Sequence, residues 1–339
     1  MSFDRRAAAP RRAALWIVAF ALPFAALALL AWPLALSGAS PPGAPGAADV
    51  FSLERRADTL AVSTRSGPLL EYAFSGVPYK PYVRAFRSPR GANVLRDSPI
   101  DHKHHHALMY AIAAEDVSFW VEDETAGTQL HRGFEFLGCG RAGGVPAARF
   151  SESLAWLPPR SDEPVLLEER SVTVYDPAAF GASVLTWSTA LRAGPGKASV
   201  KLGGAHYYGL GARFLVSMDA SGRFLFPEAV PGEVVRGDET LTPGRWCAYA
   251  ARADGEPVTV AAFDHPSNPR KALWFTMKTP FAYISATVNL WKEPMELAAG
   301  ATLAFRYGFA VWDGEKDAAA VEALYRRWLE VAAAEVGAR

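Results

Sequence analysis

Leu303-Ala304-Phe305-Arg306-Tyr307-Gly308-Phe309-Ala310-Val311 is the stretch that decides the fold. Its large apolar residues, Leu303, Phe305, Tyr307, Phe309 and Val311, fall at every second position, the period of a β-strand and not of a helix. Working outward, Leu185, Trp187 and Leu191 alternate with Thr186, Ser188 and Ala190, and Val172, Val174, Val258, Val260 and Ala262 repeat the pattern. Turn signals such as Ala193-Gly194-Pro195-Gly196, Asp219–Gly222 and Asp254-Gly255 separate these runs. No βαβ rhythm and no repeat of fixed period interrupts them, so the spacing predicts an all-β fold, a large antiparallel β-sandwich, over residues 51–339. The exception is 316–335, where Val321, Leu324, Tyr325, Trp328 and Leu329 share one helical face, which predicts a C-terminal helix packed on the sheets.

The other end of the chain reads differently. Arg5, Arg6, Arg11 and Arg12 mark residues 1–12 as a basic tail, and residues 13–36 carry no charge. That apolar stretch is long enough to span a bilayer and longer than the usual signal-peptide core. It is read as a signal anchor or a signal peptide, with Ser37-Gly38-Ala39 a small-residue cleavage site. Either reading leaves the tail in the cytoplasm and exports everything downstream, to the periplasm or the cell surface. Residues 37–50, rich in Pro, Gly and Ala, form a linker with nothing to bury.

The 35 basic and 35 acidic side chains cancel, so no net field draws in nucleic acid. Cys139 and Cys247, the two cysteines, are too few for a disulfide scaffold and are read as small buried residues, with one disulfide between them as the alternative. The oligomeric state is left open.

Chemistry concentrates in Asp101-His102-Lys103-His104-His105-His106. In an extended conformation His102, His104 and His106 would point to one side and His105 to the other. Histidine titrates near neutrality, so His102 and His105 are the candidate acid/base residues, with Asp101 orienting one ring. Two imidazoles two residues apart can also grip a metal; none is favoured, but a divalent ion such as zinc would take His102 and His104. The candidate substrate-binding residues are His104, His131, His206, Tyr208, Arg213, His265 and Asn268, with Tyr207 and Trp246 available to stack on a ligand and Glu228 as a second carboxylate. In His206-Tyr207-Tyr208-Gly209-Leu210-Gly211-Ala212-Arg213 the glycines admit close backbone approach, while the prolines of Asp264-His265-Pro266-Ser267-Asn268-Pro269-Arg270 make a rigid turn.

Lys80-Pro81-Tyr82, Arg96–His105, Tyr208–Phe214, Gly244–Tyr249 and Asp264–Arg270 together resemble a family of uncharacterised secreted bacterial β-sandwich proteins that carries the label "methane oxygenase PmoA-like". The resemblance covers roughly residues 79–314. The family pattern reads Asp-His-Pro-His-His-Arg-Gly, and here Lys103, His106 and Ala107 stand in place of its Pro, Arg and Gly. An oxygenase subunit in a membrane would be a bundle of spanning helices, whereas this chain has one apolar span and then strands, so methane oxygenase activity is rejected. By analogy the pattern also suggests the galactose-mutarotase-like supersandwich of aldose epimerases. The resulting expectation is an extracytoplasmic carbohydrate-active enzyme, an epimerase, hydrolase or lyase acting on a sugar or glycoside. The alternatives are a non-catalytic, membrane-tethered carbohydrate-binding module and a zinc-dependent hydrolase.

Overall fold

The computed structural model describes residues 47–219 and 222–337. The basic tail, the apolar stretch 13–36 and the linker up to residue 46 lie outside the described residues. Among the described residues no helix is long and apolar enough to cross a membrane. One turn of helix, Ala47–Val50, occupies the end of the expected linker, and the first strand starts at Phe51.

Among the described residues every strand pairing is antiparallel. One sheet has ten strands, ordered Phe51–Arg55, Thr59–Thr64, Gly67–Ala73, Tyr82–Phe86, Leu108–Ala111, Gly209–Arg213, Tyr283–Thr287, Leu273–Met277, Glu239–Pro243 and Glu233–Arg236. A second has eight, ordered Arg223–Leu225, Trp246–Ala253, Glu256–Asp264, Leu303–Asp313, Ser183–Ala193, Leu166–Tyr175, Val145–Leu157 and Thr128–Ala142. A small four-stranded sheet, Met295–Ala298, Ser199–Gly203, Ala113–Ala114 and Val117–Ser118, continues from the middle of the first. The expected large sandwich with a C-terminal helix is what the chain forms; the helix runs Ala318–Gly337, starting two residues after the predicted boundary.

Alternation along each strand divides the side chains of the eight-stranded sheet between two cores. Val258 and Val260 face the ten-stranded sheet, while Ala261 and Phe263 face the C-terminal helix. Phe305, Tyr307, Phe309 and Val311 likewise enter the large core, while Ala310 and Trp312 enter the smaller one. The helix closes the smaller core with Val321, Leu324, Tyr325 and Trp328. Trp328 lies over Gly308, where an added Cβ would come within 2.8 Å of the indole, so the residue must lack a side chain for the helix to seat.

The wholly buried Trp328 also donates its indole N–H to Thr186 Oγ1 at 2.8 Å. Replacing it by Ala is expected to cost about 3–5 kcal/mol in denaturant unfolding. Replacing the exposed Arg327 by Ala on the same helix should change stability by no more than about 0.5 kcal/mol.

Candidate functional site

The site is built on the face of the ten-stranded sheet that does not meet its partner sheet. Register pairs Arg213 with Tyr283, Gly211 with Ser285 and Gly211 with Met109, so these residues share one face. Leu210, Ala212, Ile284 and Tyr110 occupy the other face, and Tyr110 meets Trp156 of the eight-stranded sheet. The histidine segment, the residues around Trp120 and the Tyr207-Tyr208 pair lie over the first face. Gly211 leaves room for this layer, because a Cβ there would sit 2.1 Å from Tyr283 Oη and 3.0 Å from Trp120. Its space is thus taken by Tyr283 and Trp120 and does not open the backbone to a ligand.

Asp101–His106 is not extended, so the alternation that an extended conformation would give does not arise. Two successive tight turns, His102 N–H to Pro99 O and His105 N–H to His102 O, each at 2.9 Å, fold it back on itself. The His102 and His105 rings therefore stack at 4.8 Å, 25° apart, and His106 points elsewhere. Ala107 leaves the segment with φ 41°, a left-handed conformation that favours glycine, the residue the resembled pattern carries there.

The fold gathers Asp101, His102, His104, His105, Tyr208 and Arg213. His102 Nδ1 lies 2.9 Å from Asp101 Oδ2, which leaves Nε2 to exchange a proton. Arg213, buried, holds its guanidinium carbon 3.4 Å from the Phe281 ring centre, and that ring lies 4.8 Å from His102 and 5.4 Å from His105. Burial pushes the His105 imidazole down to about 2, with neighbouring His104, His102 and Arg213 adding to the effect, so it stays neutral. Burial also lowers His104, and pushes Arg213 down to about 10, still charged at neutral pH. Trp120 stacks on Tyr208 at 5.1 Å and meets Tyr207 and Tyr283, and Tyr207 carries the aromatic surface on to His206. His206 is held by Glu239 at 3.0 Å.

The remaining candidates lie elsewhere, each satisfied by its surroundings. His131 pairs with the buried Glu152 among Phe74 and Phe134. His265 bonds Ser267 within its own turn and packs on Trp328. Asn268 bridges Asp264 and the Arg306 backbone, so the Asp264–Arg270 motif is a structural corner. Trp246 bonds Glu322 beneath the C-terminal helix, and Glu228 pairs with Arg245. Cys139 and Cys247 are both free; Cys247 is buried and Cys139 half-buried.

Sequence reasoning missed Trp120, Phe281, Tyr283 and a buried charge cluster beside His104. In that cluster His106 is wholly buried and stacked on Tyr82 at 4.4 Å. Its Nδ1 lies 3.0 Å from Asp97 Oδ1 and its Nε2 2.6 Å from Glu122 Oε1, and Glu122 also pairs with buried Lys80 at 2.5 Å. His106, in the place of the pattern's arginine, is therefore bound to protein carboxylates. Among the described residues no group of three or more His, Cys, Asp or Glu is placed to hold a metal ion.

Burial alone would lower the His106 pKa, but the hydrogen bonds to Asp97 and Glu122 hold it above 6.5. Asp97 and Glu122 stay below the usual carboxylate range despite their burial, chiefly through His106. A raised folded-state pKa stabilises fully below the unfolded value and is lost as pH rises through the folded one. The two carboxylates contribute in the opposite sense, losing their share as pH falls. His106→Gln is therefore expected to lower Tm more at pH 6 than at pH 9, as melting curves across that range would show.

Three comparisons bear on identity. No curated protein matches the sequence. Among solved structures the chain is similar to an α-galactosidase from Lactobacillus brevis, with TM-score 0.48, 8% identity, and coverage of 83% of this chain and 42% of that one. It is similar to a GH36 α-galactosidase from Geobacillus stearothermophilus, with TM-score 0.47, 12% identity, and coverage of 78% and 41%. A protein from Klebsiella pneumoniae subsp. pneumoniae assigned as an aldose 1-epimerase gives TM-score 0.40, 11% identity, and coverage of 83% and 88%. The chain thus spans about four tenths of the length of the α-galactosidases it matches. A model of one family matches residues 59–326, which include both large sheets' central strands, the histidine segment and Arg213, and on that match the chain belongs to DUF6807, a family of unknown function.

Proposed function

We propose that this protein is a carbohydrate-active enzyme, an epimerase, hydrolase or lyase, working outside the cytoplasm with Asp101 and His102 as its acid/base pair. The observation that carries the reading is the oriented His102 ring beside a desolvated cation and an aromatic wall. Asp101 Oδ2 lies 2.9 Å from His102 Nδ1 and 4.0 Å from Arg213 Nη2, so one carboxylate links the His102 imidazole to the buried guanidinium. An imidazole fixed at one nitrogen delivers or removes a proton at the other, and a nearby cation stabilises an oxyanion formed on the substrate. Tyr207, half-buried at the rim of the Trp120–Tyr208 stack, offers flat apolar surface of the kind that packs against the C–H face of a sugar ring. The export assignment rests on the arginine-flanked apolar stretch 13–36.

A non-catalytic carbohydrate-binding module is the second reading, and the half-buried aromatic pair of His206 and Tyr207 is what favours it. A zinc-dependent hydrolase has less behind it, since no third donor joins His102 and His104 among the described residues.

Turnover by the protein of a panel of sugars, keto-sugars and glycosides separates these readings. His102→Ala is expected to lower kcat by about 10²–10⁴-fold on the substrate so found, with Asp101→Asn following in the same direction. A sugar that shifts the melting temperature of wild type and His102→Ala equally, with no turnover of any panel member, would leave the binding module. Wild-type kcat in His102→Ala would remove this residue from the chemistry.

A further inference from the structure

Five side chains at the site are at least nine-tenths buried and end in polar atoms with no hydrogen-bond partner: Arg213 Nε and Nη1, Trp120 Nε1, Tyr283 Oη, Ser285 Oγ and His105 Nδ1. Burying such an atom without a partner costs free energy, and native proteins leave few of them. Here they are concentrated. Arg213, Tyr283 and Ser285 share the outer face of two adjacent strands, and His105 and Trp120 approach from the segments above, 5.2 and 6.2 Å from the Tyr283 ring.

Their chemistry is one-sided. The guanidinium and indole nitrogens can only donate, the two hydroxyls can donate, and none of these six atoms belongs to a carboxylate or carbonyl. The two carboxylates facing Arg213 do not neutralise it closely. Asp101 stands 4.0 Å away, half exposed and engaged with His102, and Asp219 accepts the Ala282 N–H at 2.7 Å. Arg96 adds a second positive charge on that side.

We infer that the ligand of this site carries a carboxylate, received by Arg213 with Tyr283 and Trp120 as further donors, so that the sugar is an acidic one of the uronate or aldonate class. A carboxylate supplies two oxygens and about four lone pairs to a set whose guanidinium and indole can only donate and whose hydroxyls can turn to donate, and Arg213 offers it the planar fork that lysine lacks. The acidic group is the new element; that the molecule is a sugar rests on the reading above.

The test is calorimetric titration of the wild-type protein with matched pairs, galacturonate against galactose and glucuronate against glucose, with citrate as a carboxylate that is not a sugar. Arg213→Gln and Arg213→Lys are titrated alongside, their folding checked by circular dichroism. Expected is binding of a uronate about 10–100-fold tighter than its neutral partner, a preference reduced in Arg213→Lys and abolished in Arg213→Gln. Equal affinity for a uronate and its neutral partner would overturn the acidic class and leave the carbohydrate reading standing. Arg213-dependent binding of citrate without any sugar would keep the carboxylate and overturn the carbohydrate reading. No binding of any of these probes would overturn both.

Discussion

A guanidinium removed wholly from water must find every partner inside the protein, and Arg170 sets this requirement at the middle of the sandwich. It stands on the eight-stranded sheet with no exposure, over the Trp187 ring at 4.8 Å. Its nitrogens donate to Glu168, to Gln129, to Tyr72 Oη and to the Pro81 carbonyl. Tyr72 belongs to the ten-stranded sheet and in turn bonds Glu152 of the other, which holds His131. A polar lattice of this kind admits one registration of the two sheets, because sliding either would strand a buried charge.

The consequence reaches the site through Pro81. Its neighbours Lys80 and Tyr82 hold Glu122 and Asp97, and these two carboxylates hold His106. His106 ends the turn that presents His102, His104 and His105. The site is thus suspended between a rigid sheet face, carrying Arg213 and Tyr283, and a loop whose root is fastened by ion pairs at both ring nitrogens of one histidine. Inside the cluster every charge has its counter-charge at hydrogen-bond distance. A few ångströms away, over Phe281, the cation and its neighbours do not. That contrast separates the part of the histidine segment that maintains structure from the part available to a ligand.

Reading from sequence singled out Asp101, His102, His105 and Arg213, which the fold brings together, because their residue types are rare at such density and carry chemistry wherever they sit. It grouped His131, His265 and Asn268 with them for the same reason, although the fold places them elsewhere: type alone does not distinguish a histidine with a free ring nitrogen from one that faces Glu152 or Ser267. It passed over Tyr283, Ser285 and Phe281, which lie in or beside an ordinary strand and give no compositional signal. It weighed Asp101–His106 only in an extended conformation, although Pro99 and the preceding Ser98, with φ 44°, sit at the start of a turn.

What the sequence determined by itself was the alternation. Period two over Leu303–Val311 and its counterparts assigns strands, and the heptad-like stripe from Val321 to Trp328 assigns the closing helix, because these patterns depend only on local backbone geometry. Which sheet face would meet the other sheet, and which would carry Arg213 and Tyr283 under a histidine loop, was decided by tertiary structure. Pairing between strands about seventy residues apart, Gly209–Arg213 with Tyr283–Thr287, brings those side chains together. No local preference encodes that register; it follows from burying apolar faces on both sides of the eight-stranded sheet while giving Arg170 all of its partners.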